Sequence, residues 1–200
     1  MDFSKISQIV LVFTPWEEKN MKSFIAVSVV SLFFVSGAAN AISMNVQAGK
    51  HYTSTSVGLG DKSAGLSLNG NWTRSDHNGQ IGSLGTAFAL PVGPITANVG
   101  GKVLYLSPKV GKDGVALAAG AGLSWAVLPS LSLYGEAYGA PSGLTSGVDS
   151  YTEATGGVRY TLFKPLTVDA GYRVIDLKGK NGNRSNKVSE GFYIGAGFSF

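Results

Sequence analysis

Short runs in which apolar and polar residues alternate constrain this chain more than any other feature. The final run is the clearest, because Phe192, Ile194, Ala196, Phe198 and Phe200 share one face while small or polar residues lie between them. A period of two is the repeat of a β-strand whose two faces meet different surroundings. Similar runs recur from residue 63 to residue 174, and no apolar stretch after residue 41 is long enough for a membrane helix. The pattern predicts an all-β chain.

The first forty-one residues differ from the rest and carry an export signal. From Met21 the chain has a positive start at Lys22, an apolar stretch that ends at Val35, and the sequence Ala39-Asn40-Ala41. This is the pattern of a secretory signal peptide with its cleavage site, and the apolar stretch is shorter than the ~18 to 20 residues of a membrane anchor. We predict a signal peptide over residues 21–41. Residues 1–20 do not extend this signal peptide sensibly, so we interpret them as the result of a mis-called start codon. The predicted mature chain is residues 42–200.

Composition excludes several classes of protein. The chain contains 28 Gly, 10% aromatic and only 14% charged residues, which is not the composition of a disordered chain. It has no Cys, so a disulfide scaffold, a thiolate metal site and a cysteine nucleophile are excluded. The net charge of +4 is modest and no long run of cations occurs, which argues against nucleic-acid binding.

Alternating strands behind a signal peptide predict a transmembrane β-barrel of the bacterial outer membrane. A sheet in a bilayer must close, because an open edge would leave backbone N–H and C=O groups unpaired in hydrocarbon. Short connections that contain Pro91, Pro94, Pro129 and Pro165 alternate with longer ones, as expected for periplasmic turns and external loops. We therefore predict a closed antiparallel barrel of ten strands, with eight as the alternative if residues 42–59 do not form a hairpin.

The C-terminus carries a second signal typical of this class. A strand that ends on an aromatic residue resembles the signal that outer-membrane barrels present to their assembly machinery, and we assign it to Phe192, Ile194, Phe198 and Phe200. The expected partners are outer-membrane lipid and lipopolysaccharide, the barrel-assembly machinery and periplasmic chaperones. We favour a monomer.

Several stretches of the mature chain carry a family resemblance. They are Gly70-Asn71-Trp72, residues 151–154, residues 165–173 and residues 179–184. Through them the chain resembles the YfaZ family of predicted outer-membrane proteins over essentially all of residues 42–200. The resemblance implies an outer-membrane location, a barrel and a tentative porin label. It supplies no catalytic residue and no substrate.

The sequence contains no convincing enzyme or metal motif. Its two histidines, His51 and His77, fall in predicted loops, and the Asp and Asn beside His77 are interpreted as turn residues. Asp61, Asp76 and Asp113 do not follow the spacing of a calcium loop. We therefore predict no catalytic residue, no cofactor and no metal, and keep a lipid-modifying outer-membrane enzyme only as a distant alternative.

Charged residues on the predicted lumen faces are the most informative group. Ionisable groups at membrane depth must face protein or water and be paired, since exposing Lys or Arg to lipid at mid-depth costs roughly 2 to 4 kcal/mol. Three cations and three anions fall on these faces: Lys102, Glu136, Glu153, Arg159, Asp169 and Arg173. Their balance favours a closed, charge-paired lumen with a structural or surface-interaction role. A narrow porin-like channel for small solutes is the alternative.

The short turn at residues 163–165 also predicts a register. Opposite residues should have numbers that sum to 328, so that Leu162 faces Leu166, Arg159 pairs with Asp169, and Glu153 lies one diagonal step from Arg173.

A basic loop forms the last predicted feature. We expect it to be external and to contact the phosphates of lipopolysaccharide, because clustered cations attract anionic groups. Its cations are Lys178, Lys180, Arg184 and Lys187.

Overall fold

The computed structural model describes residues 41–60, 63–180 and 184–200. The predicted upstream segment and, apart from Ala41, the predicted signal peptide lie outside these residues. Ten strands account for most of the described chain. They are β1 (Ile42–Gly49), β2 (Tyr52–Leu59), β3 (Gly65–Ser75), β4 (Gly79–Val92), β5 (Ile95–Pro108), β6 (Gly114–Leu128), β7 (Leu131–Ala140), β8 (Val148–Phe163), β9 (Leu166–Gly179) and β10 (Asn186–Ser199).

The strands form one closed antiparallel barrel. Each strand pairs with the next along the chain, and β1 closes the sheet by pairing with β10, where Met44 lies opposite Phe198 and Ala48 opposite Ile194. Strands β1 and β2 form the hairpin on which the strand count depended. The prediction of ten strands is confirmed, and the alternative of eight is wrong.

The two faces of the wall differ as the alternation predicts. Large apolar side chains such as Leu84, Ile194 and Phe192 point outward and are 74%, 71% and 79% exposed, because none of the described residues packs over them. Among the described residues, no helix is long and apolar enough to cross a membrane.

The two ends of the barrel differ in their connections. The end that we call the long-loop end holds the connections at residues 109–113 and 141–147, together with the two-residue turn at residues 50–51. The end that we call the short-turn end holds Ile42, Phe200 and the turns at residues 93–94, 129–130 and 164–165. Three of the four predicted turn prolines lie in these turns. The prediction for Pro91 is wrong, because Pro91 lies in β4 opposite Thr96. The pairing of β4 with β3 extends only as far as Ala89, so residue 91 needs no backbone N–H to bond to β3.

The predicted register between β8 and β9 is confirmed over most of its length. Arg159 lies opposite Asp169 and Thr155 opposite Arg173. The pairing of Leu162 with Leu166 is wrong. An irregularity in the ladder between Thr161 and Phe163 absorbs one residue, and Phe163 takes the position opposite Leu166.

Candidate functional site: the barrel lumen

Three charged side chains meet inside the barrel, and we call Lys102, Glu153 and Arg173 the charge cluster. Lys102 reaches across the lumen from β5 and pairs with one carboxylate oxygen of Glu153 on β8. Arg173 on β9 donates from Nη2 to the other oxygen at 2.6 Å. The side chains of Lys102, Arg173 and Glu153 are only 11%, 8% and 2% exposed. One buried anion is therefore shared by two cations, and the charge cluster keeps a net charge of +1.

Neutral groups add further hydrogen bonds to this cluster, although the buried Arg173 Nε has no partner among the described residues. Tyr151 donates a hydrogen bond to the Glu153 carboxylate. Arg173 Nη1 donates to Ser54 Oγ at 3.0 Å and to Gln47 Oε1 at 3.3 Å. These contacts tie β1, β2, β5, β8 and β9 together across the lumen. Such cross-links act in a low-dielectric space, where each hydrogen bond is stronger than in water.

Arg159 and Asp169 stand opposite one another but do not form the predicted ion pair. The Arg159 guanidinium lies over the ring of Tyr134, 4.7 Å from its centroid. Asp169 accepts hydrogen bonds from Asn45 at 2.8 Å and Tyr134 at 3.1 Å. The physical reason is Gly195, the β10 residue opposite Asp169, because a Cβ there would lie 2.8 Å from Asp169 Oδ1. The missing side chain lets Asp169 reach over β10 to β1.

Two tyrosines form a second bridge in the lumen. Tyr134 on β7, Gly157 on β8, Gly171 on β9 and Tyr193 on β10 occupy one row of the sheet. The two phenol hydroxyls are hydrogen bonded to one another above the glycines. A Cβ on Gly171 would lie 2.8 Å from the Tyr193 hydroxyl, so a side chain there would occupy the space of this bridge.

A cluster of buried, mostly apolar side chains fills the lumen toward the long-loop end, and we call it the apolar plug. Leu106 and Leu177 are fully buried, and Leu104 and Ile175 are 1% exposed. Its members come from seven consecutive strands, β4 to β10: Ile81, Leu104, Leu106, Ala116, Ala118, Ala140, Val148, Tyr151, Ile175, Leu177 and Val188. Sequence reasoning missed the plug. The sequence did contain a signal for it. Leu104 and Leu106 follow Lys102 on the lumen face of β5, and Ile175 and Leu177 follow Arg173 on the lumen face of β9.

Glu136 completes the set of predicted lumen charges but stays apart from the charge cluster. It lies opposite the buried Thr155 and shares the lumen face with Tyr134 and Tyr138. Its side chain is nevertheless exposed. Space accessible to water therefore exists in the lumen at the level of Glu136.

The other predicted residues lie on the outside. Phe192, Ile194, Phe198 and Phe200 all project outward, between 48% and 79% exposed. In the predicted basic loop, Lys178 pairs with Asp149 at 3.8 Å and Lys187 with Glu190 at 2.8 Å, while Lys180 and Arg184 are exposed.

The chain is similar in sequence to a curated protein and, more distantly, to solved structures. A curated relative, the outer membrane protein YfaZ of Escherichia coli (strain K12), is 44% identical over 180 residues, which cover 90% of this chain and all of the relative. Two solved structures are more distant. The outer membrane channel DcaP of Acinetobacter baumannii has a TM-score of 0.44 at 15% identity, over 78% of this chain and 54% of DcaP. The NanC porin has a TM-score of 0.43 at 13% identity, over 81% of this chain and all of NanC.

The closed barrel with an apolar exterior, together with this relative, defines an outer-membrane β-barrel protein. The family model described as YfaZ precursor matches residues 21–200. The chain therefore belongs to the YfaZ family, as its sequence motifs predicted.

Proposed function

We propose that this barrel does not conduct and serves a structural or surface-interaction role in the outer membrane. The apolar plug is the observation that carries the proposal. A water-filled path through a barrel needs polar groups along its wall, and hydrophobic constrictions close pores by excluding water. Leu104, Leu106, Ile175 and Leu177 are at most 1% exposed and belong to one cluster of buried side chains, which leaves no polar group along this part of the lumen wall for water to follow.

The charge cluster lies beside the plug, on the side of the short-turn end, and supports the same role. Lys102 and Arg173 hold Glu153 from two sides of the lumen, and their side chains occupy the space that a solute would need. Opening this region would leave charges unpaired, which costs several kcal/mol per ion in a protein interior. A lumen that is filled at the levels of the plug and of the charge cluster fits a barrel of about ten strands, whose interior is little wider than its side chains.

A narrow channel for small solutes is the second candidate, and Glu136 favours it. This exposed acid faces the lumen, where it could attract cations that enter from the short-turn end. For conduction, the plug would have to open while the strands stayed paired. The two candidates therefore differ in whether the plug blocks ions.

Conductance across planar bilayers separates the two candidates. The mature barrel should give no discrete steps, because the plug blocks the path. Replacing Leu104 and Leu177 by Ala should produce steps by removing apolar volume from the lumen. The matched control replaces Leu66 and Leu84, which face outward and are 66% and 74% exposed, and should stay silent.

Two results would contradict the proposal. Discrete steps from the unmodified barrel, altered by Glu136→Gln, would establish the channel instead. Equal conductance from the lumen variant and the outward-facing control would mean that the plug is not the barrier. Far-UV circular dichroism of each variant verifies that the barrel has folded.

We also propose that the basic loop contacts lipopolysaccharide phosphates. Within the described part of the chain, Lys178 and Lys187 already have carboxylate partners. Lys180 and Arg184 are exposed and are the residues we assign to phosphate. Binding to vesicles with and without lipopolysaccharide tests this, and the double variant K180Q/R184Q should lose the difference. Undiminished binding by that variant would refute the assignment.

A further inference from the structure

Both histidines of the chain meet at the long-loop end, although they are twenty-six positions apart in the sequence. His51 lies in the turn between β1 and β2, and His77 in the loop between β3 and β4. Their rings are 5.8 Å apart between centroids and nearly perpendicular. Asp76 joins them, and one ligand atom from each of the three residues lies within 4.8 Å of the other two. From this geometry we propose that His51, Asp76 and His77 bind one divalent transition-metal ion.

The backbone holds the two loops together. Asp76 N donates to the His51 carbonyl oxygen at 2.9 Å, which joins the two connections directly. Ser75 Oγ donates to the same carbonyl at 3.4 Å and accepts from the Asn78 N–H at 3.3 Å. The three ligand side chains project from this linked pair of turns and are all exposed. Only side-chain rotation is needed to bring them onto one ion, since ligand atoms on a tetrahedral ion lie ~3.3 Å apart at bond lengths of ~2.0 to 2.1 Å.

The donor set selects the kind of metal. Two imidazoles and one carboxylate suit Zn²⁺ and its first-row neighbours, because imidazole is a ligand of intermediate softness. Calcium and magnesium prefer shells made of oxygen alone. Three protein ligands leave at least one position for water in a tetrahedral site. The bound ion would clip the β1–β2 turn to the β3–β4 loop.

Calorimetric titration with Zn²⁺ tests the site. The mature barrel is used without a histidine tag, in detergent free of lipopolysaccharide, so that neither the tag nor lipid phosphate supplies ligands. We expect one Zn²⁺ per chain. His51→Ala and His77→Ala should each weaken binding by at least the ~10- to 100-fold that loss of an outer-shell partner costs. Asp76→Asn should also weaken it.

Asp113→Asn is the matched control, because Asp113 is an exposed acid in another connection at the same end of the barrel. It removes the same charge and should leave the affinity unchanged. Co²⁺ provides a second measurement, since visible d–d bands should appear with the unmodified barrel and disappear in His51→Ala. Absence of Zn²⁺ binding, or equal binding by His51→Ala and the unmodified barrel, would overturn the proposal. An equal loss in Asp113→Asn would show general attraction of cations instead of a site.

Discussion

The hydroxyl groups of Tyr134 and Tyr193 are joined by a hydrogen bond that crosses two intervening strands. The bridge exists because the residues beneath it, Gly157 and Gly171, have no side chains. Gly171→Ala should therefore destabilise the barrel by about 1 to 3 kcal/mol, the usual cost of overpacking. Its Cβ would overlap the Gly156 carbonyl oxygen and would lie 2.8 Å from the Tyr193 hydroxyl and 2.9 Å from the Gly157 Cα, so the neighbouring backbone and the tyrosine bridge would both have to shift. Urea unfolding in detergent measures the effect.

Gly156→Ala is the matched control for that substitution. Gly156 is next to Gly157 on the opposite face of β8, and the nearest atom to its added Cβ would be the Tyr134 carbonyl oxygen at 3.7 Å. We expect an unfolding midpoint close to that of the unmodified barrel. If both alanine variants lose equal stability, the close approach of the tyrosines is not the cause.

The charge cluster contains two cations and one anion, so removing the anion should destabilise the barrel more than removing one cation. Glu153→Gln leaves Lys102 and Arg173 buried without an anion and should cost about 3 to 5 kcal/mol. Lys102→Gln should cost less, because Glu153 keeps Arg173. Adding Lys102→Gln to Glu153→Gln should recover part of the loss, since one unpaired cation is removed. Urea unfolding of the four proteins in a double-mutant cycle measures the coupling.

The exposed pair Lys187 and Glu190 provides the reference for that cycle. Its coupling should be about 0.2 to 1 kcal/mol, as for surface ion pairs in general. Coupling between Lys102 and Glu153 that does not exceed this value would contradict the buried ion pair.

Processing of the N-terminus remains a prediction from the sequence. Because Ala39-Asn40-Ala41 has the form of a cleavage site, N-terminal sequencing of the membrane form should begin at Ile42. Ala41→Arg should block or shift cleavage, since the site requires small residues. A membrane form that retains residues 21–41 would contradict the export signal.

Trypsin treatment of intact cells tests the orientation of the barrel. If the long-loop end is external, the enzyme should cut after Lys180 or Arg184, which are exposed. The variant K180Q/R184Q should lose cleavage at these two positions and keep any cleavage after Lys178 or Lys187. Cleavage that requires lysis of the outer membrane would place the loop in the periplasm.

The strands and their faces could be predicted from the sequence because period two is a local property of the chain. The β8–β9 register was also accessible, since a short turn fixes which residues lie opposite one another. Contacts between side chains across the lumen could not be predicted from the sequence. Lys102 and Glu153 are 51 positions apart, and Arg173 and Gln47 are 126 apart. Alternation shows that they face inward, but only the closed barrel brings them together.

The predicted ion pair between Arg159 and Asp169 was wrong because a neighbouring glycine changed which side chains Asp169 could reach. Asp169 extends over Gly195 to Asn45, a contact that depends on a third strand and the closing seam. The proposed metal site could not be predicted from the sequence for a related reason. His51 and His77 belong to separate hairpins, and neither hairpin alone contains a recognisable ligand motif.

The wall of the barrel is uneven in height. Strands β1 and β2 have eight residues each, whereas β8 has sixteen. Strands of eight residues tilted by roughly 40° span only about 20 Å, less than the ~25 Å apolar band of an average outer-membrane barrel. Lipid beside this hairpin therefore meets a shorter hydrophobic surface than lipid beside β8. We therefore expect the membrane to become thinner on that side, so that the lipid around the barrel has an uneven thickness profile.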